Sequence, residues 1–176
     1  MKFKKVAFLA LTTLALAACG GGDGGTPAPV IDTAQHIKAS VDGTMVNATT
    51  GLEGTRNTVR NMAWLYGRTT VTEPSGSQSY WSITSLKPVV GTYNCDANGD
   101  WETLQIGLYQ SAGDGVNFTT YLKPASKCTV SVVAVSATEI SGTFTATLVR
   151  RGDDSAVVQV QNGTFRMPLV EGEGPT

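Results

Sequence analysis

The sequence predicts an all-β fold, either an antiparallel β-sandwich or a jelly-roll-like barrel of about nine strands. Three observations predict it. From about Ile31 onward the chain is dense in Thr, Val, Ser and Gly. Apolar and polar residues alternate in short runs, the two-residue period of a strand with one buried face. Turn residues break those runs every ~8–12 positions, and no stretch sustains a helical period.

The strands follow in order. Residues 36–41 place Ile37, Ala39 and Val41 on one face. Asp42-Gly43 is a two-residue hairpin signal and leads into a strand over 44–50. Residues 59–71 carry Met62, Trp64 and Tyr66 in alternation, and Glu73-Pro74-Ser75-Gly76 then turns the chain. The next strand, 79–86, puts Trp81 and Ile83 on one side. Residues 87–95 are less regular and read as a crossing connection pinned by Cys95. Residues 102–110 alternate cleanly, with Leu104, Ile106 and Leu108 inward. After Gly113-Asp114-Gly115, residues 116–122 turn Phe118 and Leu122 inward. Residues 127–135 are apolar on both faces, which predicts a central strand. In 139–150 the inward set is Phe144, Ala146 and Leu148.

The last segment changes phase. Val158 and Val160 hold even positions, whereas Phe165, Met167 and Leu169 hold odd ones, with the switch at Asn162-Gly163. A hairpin turn or a bulge restores the inward face. The bulge is favoured, making one bent strand that pairs back on 139–150. The domain is expected to run from 31 to 170, with a frayed tail over 171–176.

The N-terminus carries an address. Met1-Lys2-Phe3-Lys4-Lys5 precedes an apolar run from Val6 to Ala17. As a helix that run spans ~18 Å, short of the ~20 residues a bilayer crossing needs, so it reads as the core of a signal peptide over 1–18. It ends in Leu16-Ala17-Ala18-Cys19. These residues resemble the lipobox of bacterial lipoproteins. The resemblance implies a diacylglyceryl group on the Cys19 thiol, cleavage before that residue and acylation of the new amine, often with palmitate. Residues 19–30 then form a Gly- and Pro-rich tether. Gly20 stands where an Asp would favour inner-membrane retention, so the resemblance leans towards the outer membrane. The domain itself resembles small β-sandwich lipoproteins of bacteria in two strands. One is Ile-Ser-Gly-Thr-Phe at 140–144, the other Asn-Gly-Thr-Phe at 162–165. That group has no settled activity to carry over.

Processing changes the charge. Lys2, Lys4 and Lys5 are three of the 13 basic residues, and all 14 acidic residues lie beyond the signal, so a chain starting at Cys19 carries ten basic against 14 acidic side chains, a balance of −4. The basic residues are scattered singly, which argues against a nucleic-acid partner. With Cys19 assigned to the anchor, Cys95 and Cys128 remain as an even pair in an exported chain. They are expected to form a disulfide, the alternative being two buried thiols.

Few residues point to catalysis. His36 is the only histidine and reads as an exposed strand-edge residue, and no Gly-x-Ser-x-Gly elbow exists. No catalytic residue and no cofactor are expected, and the domain is read as non-enzymatic. Asp96, Asn98 and Asp100 offer alternate oxygen ligands of the kind calcium prefers. The match to a helix-loop-helix calcium site then fails, because Trp101 stands where Gly is needed and Gly107 where Glu is needed. A polar turn is the simpler reading. Arg151-Gly152-Asp153 spells a tripeptide that integrins read, but Gly-Asp is ordinary turn chemistry. The aromatic residues Trp64, Trp81, Trp101, Tyr66, Tyr80, Tyr93, Tyr109 and Tyr121 could stack on sugars. Trp101 and Tyr109 share the parity opposite Leu104, Ile106 and Leu108 and are the candidate ligand-binding pair. Paired carboxylates of a small hydrolase are a weaker alternative. The expected partners are the membrane, through the lipid, and an envelope protein or glycan.

Overall fold

The computed structural model describes residues 33–70, 77–96, 102–111 and 115–174. The signal, Cys19, the tether, Asn98, Asp100 and Trp101 lie outside them. Residues 33–176 form one compact unit, and its described part is all-β.

Twelve strands are present among the described residues: β1 (His36–Val41), β2 (Thr44–Ala48), β3 (Thr50–Asn57), β4 (Met62–Arg68), β5 (Ser79–Leu86), β6 (Gly91–Asn94), β7 (Gln105–Gln110), β8 (Val116–Thr119), β9 (Lys127–Val135), β10 (Glu139–Arg150), β11 (Asp153–Pro168) and β12 (Val170–Glu171). They make one large sheet in the order β12-β3-β4-β5-β7-β8-β10-β11-β1-β2, antiparallel except for the β12–β3 pair. The sheet is not closed into a barrel, which corrects that alternative.

The sheet forks at β10. One edge of β10 pairs with β11 along its length. The other edge pairs with β9 from Ile140 to Thr147 and then with β8 at Val149 and Arg150. β8 and β9 therefore lie end to end, each leading a separate branch. One continues to β7, β5, β4 and β3, the other to β6. The disulfide Cys95–Cys128 locks the β6 branch, with Cα atoms 5.1 Å apart and the Cys95 amide donating to the Cys128 carbonyl.

The sheet also bends back on itself. The Trp81 indole Nε1 donates to the Val46 carbonyl at 3.3 Å, joining β5 to β2. A methyl group on Gly67 of β4 would meet Leu52, Ala48 and Ile37, so bare backbone there permits the close approach. One core results, built on Ile37, Leu65, Trp81, Ile83, Ile106, Leu108, Ile140, Phe144, Leu148, Phe165 and Met167.

The phase change in the last segment is a bulge. Between Phe144 and Ala146 the partner residue jumps from Gly163 to Val160, and β11 continues as one strand. Asn162 adopts a left-handed φ of 52°, which Asn tolerates better than most residues. Gly163 then passes so close to Phe144 that a Cβ would sit 2.5 Å from its carbonyl oxygen. The Asp42-Gly43 hairpin also forms, with φ positive at both residues.

Several expectations are corrected. Val59 is 95% exposed in a turn, and the strand begins at Met62. Its core-facing residues are Ala63 and Leu65 rather than Met62 and Tyr66. Trp64 is buried apart from that core, against the tail at Gly174. β3 lay unrecognised. Leu122 is exposed at a left-handed φ of 50°, because β8 ends at Thr119 and the chain turns there through a loop that the Ser126 hydroxyl closes on the Thr120 carbonyl. Val133 is 64% exposed, so β9 is central by pairing but buried on one face only. The tail is not frayed through 174. Val170 and Glu171 pair with β3, and the Glu171 carboxylate accepts from the Thr58 amide and the Arg56 guanidinium.

Candidate functional site

His36 is only 5% exposed, which corrects the edge reading. Its Nδ1 lies 2.8 Å from the Ala34 carbonyl and its Nε2 3.0 Å from Thr164 Oγ1. Both ring nitrogens are thus engaged, Nε2 with Thr164 of β11 and Nδ1 with the segment leading into β1. Asp96 is exposed at the end of β6. Among the described residues no group of three His, Cys, Asp or Glu side chains could hold a metal ion. Arg151-Gly152-Asp153 is displayed at the β10–β11 hairpin. The Asp153 carboxylate accepts from the Ser155 hydroxyl and amide, which holds its pKa below the usual carboxylate value.

The aromatic residues sort by face. Trp81 is wholly inside and Trp64 is buried, so neither reaches a ligand. Tyr109 is 42% exposed and faces outward, as its parity predicts. Register then assembles a surface around it. Tyr109 on β7 stands opposite Tyr80 on β5, and Tyr80 stands opposite Arg68 on β4. The neighbouring row runs Tyr66, Ser82, Gly107, Thr119 across β4, β5, β7 and β8. Directly opposed residues in an antiparallel sheet share a face, so both rows lie on the outer side of this branch.

The two rows differ in height. Ser82, Gly107 and Thr119 are small and make a shallow floor. Tyr66 and Tyr80 rise beside it, stacked with ring centroids 5.8 Å apart and planes 16° from parallel. The Arg68 guanidinium lies 5.8 Å from the centre of the Tyr80 ring, within the range of a cation–π contact. Arg68, Gln78, Tyr80, Tyr109 and Ser111 together line a hollow of about 280 Å³, close to the lower end of small-molecule sites at ~300 Å³.

The walls of this hollow are held in place. Ser111 Oγ accepts from the Gln78 amide at 2.7 Å and donates to the Gln78 carbonyl at 2.9 Å. Gln78 Nε2 donates to the Thr69 carbonyl at 2.8 Å, which aims its amide oxygen. Burial pushes the Tyr66 phenol up to about 12, helped by Tyr80 and Glu53. Burial also raises Tyr80; nearby Arg68 works against the rise and Glu53 adds to it. Both phenols therefore stay protonated near neutral pH, as hydrogen-bond donors.

A second hollow, of about 470 Å³, lies over β9, β10 and β11; its lining is mostly Thr, Ser and Asn, with the Gly163 backbone and the buried Phe144 beneath. Thr129 and Ser131 are already engaged, with Asn94 and Thr92. This face carries hydroxyls but neither an exposed ring nor a charge in its lining, so it offers nothing for a sugar face to stack on.

Sequence reading singled out Tyr109 and left Arg68 and Gln78 unmarked. Their meeting depends on the β4–β5–β7 register, although the shared parity of Tyr66 and Arg68 was a usable signal. No family model, curated protein or solved structure matches this chain.

Proposed function

We propose that this chain is an exported bacterial lipoprotein, anchored through Cys19 to the outer membrane. Its sandwich-like β domain acts by binding carbohydrate and not by catalysis. The observation that carries the ligand class is the outward Tyr80–Tyr109 pair, with Tyr66 stacked on Tyr80, beside a small-residue floor. Sugar rings present C–H faces to aromatic rings and hydroxyls to fixed amides and phenols, and this surface offers both. The binding reading is supported by His36, the sole histidine, which is buried with both ring nitrogens engaged. The anchor reading is supported by the Leu16-Ala17-Ala18-Cys19 run and the Gly-rich segment that follows.

Two experiments test these claims. In fractionated cells the chain is expected with the membranes and Cys19→Ala in the soluble fraction; an unchanged distribution would refute lipidation. In native gels cast with envelope polysaccharides, the detergent-solubilised chain is expected to be retarded by at least one polymer. Unretarded migration through all of them would count against the carbohydrate reading.

A further inference from the structure

We infer that the hollow between Tyr80 and Tyr109 takes an acidic sugar, a uronic acid within a glycan, whose carboxylate pairs with Arg68. The inference rests on the carbohydrate reading and sharpens it to a charge class.

Arg68 is the charged member of the hollow's lining, and its side chain is exposed. Among the described residues it makes no ion pair. The arginine–carboxylate pairs among the described residues are formed elsewhere: Arg56 with Glu171, and Arg166 with Glu139. Arg68 instead has its guanidinium over the Tyr80 ring, 5.8 Å from the centroid. A cation–π contact draws the guanidinium to the ring while leaving N–H groups for a ligand. A carboxylate is the planar anion whose two oxygens match that fork.

The remaining lining fits the rest of a pyranose. Tyr109 offers a ring at the opposite wall. The Gln78 amide oxygen, aimed by the bond from its nitrogen to Thr69, can accept from a sugar hydroxyl. The volume of about 280 Å³ suits one sugar unit, with neighbouring units passing over the Ser82–Gly107–Thr119 floor. Glu53 stands opposite Tyr66, on the far side of the stacked pair from Tyr109, so its charge opposes an anion least towards the Tyr109 wall. The mature chain is acidic overall, so general attraction to a polyanion is not the source of such a preference.

The test uses the full chain in detergent, in gels cast with polygalacturonate, alginate or hyaluronan. Each polymer is compared with its own form in which the carboxylates are reduced to alcohols. At least one acidic polymer is expected to bind roughly tenfold tighter than its reduced form. Arg68→Gln should erase that difference, bringing the acidic and reduced forms to equal retention, and leave the urea midpoint unchanged. Added salt should weaken only the acidic form. Equal retention of acidic and reduced polymers by the wild type would overturn the anion subsite and leave the carbohydrate reading standing. A preference that survives in Arg68→Gln would also overturn it. Binding of no polymer in either form would overturn both.

Discussion

Trp81→Ala is expected to destabilise the fold by about 3–5 kcal/mol, the usual cost of deleting a large core aromatic. Trp81 is fully buried and sits where the two halves of the bent sheet meet. Its ring meets Phe144 of β10 edge-on, with centroids 5.6 Å apart and planes at 75°. Phe144 in turn touches Phe165 of β11 at 6.5 Å, so three strands share one aromatic cluster. Such pairs add ~0.5–1.5 kcal/mol beyond buried area. The substitution also strands the Val46 carbonyl, which accepts from the indole nitrogen. Trp81→Phe separates these effects: it keeps most of the ring contact and loses the hydrogen bond, at about 1–3 kcal/mol. Urea unfolding followed by circular dichroism measures both. A loss below about 1 kcal/mol for the alanine variant would mean that Trp81 is not the keystone of the bend.

Removing the disulfide is the other large effect. Cys95 and Cys128 are 33 residues apart in sequence, and the loop between them contains all of β7 and β8. On the chain-entropy model such a crosslink stabilises by roughly 3–4 kcal/mol through the unfolded state. It also clamps the fork. Thr120 Oγ1 accepts from the Ile106 amide at 3.0 Å and lies 3.5 Å from Cys95 Sγ, so the β7 branch and the β6 branch meet beside the bridge. The Cys95→Ala/Cys128→Ala variant is expected to unfold at a clearly lower urea midpoint. Thiol reduction of the wild type should give the same shift. A wild-type midpoint indifferent to reductant would show that the bridge carries no stability.

Much of the fold was legible because parity is a strong signal where one face is buried. Ile37, Ala39 and Val41, then Leu104, Ile106 and Leu108, then Phe144, Ala146 and Leu148 all point inward as their spacing requires. The break at Asn162-Gly163 was legible for the same reason, since a one-residue slip would otherwise expose Phe165 and Met167. β3 was not. Its sequence, Thr-Gly-Leu-Glu-Gly-Thr-Arg-Asn, holds a single large apolar residue. It is a strand because β4 and β12 pair with it on either side, and Gly54 admits the Pro168 carbonyl where any side chain would clash. Pairing of that kind leaves little trace in hydropathy. The candidate site was half legible. The outward parity of Tyr109 could be read locally. Its meeting with Tyr80 and Arg68 could not, because it depends on which strands neighbour one another.

The central claim is that the tyrosine face of β4, β5 and β7 binds glycan. The most direct measurement is the affinity of Tyr80→Ala/Tyr109→Ala for whichever polysaccharide retards the wild-type chain, taken alongside its urea midpoint. The expected loss is roughly tenfold to a hundredfold, with folding cooperativity retained. A variant that folds as the wild type does and still binds with wild-type affinity would contradict the account and move the binding surface elsewhere on the sheet.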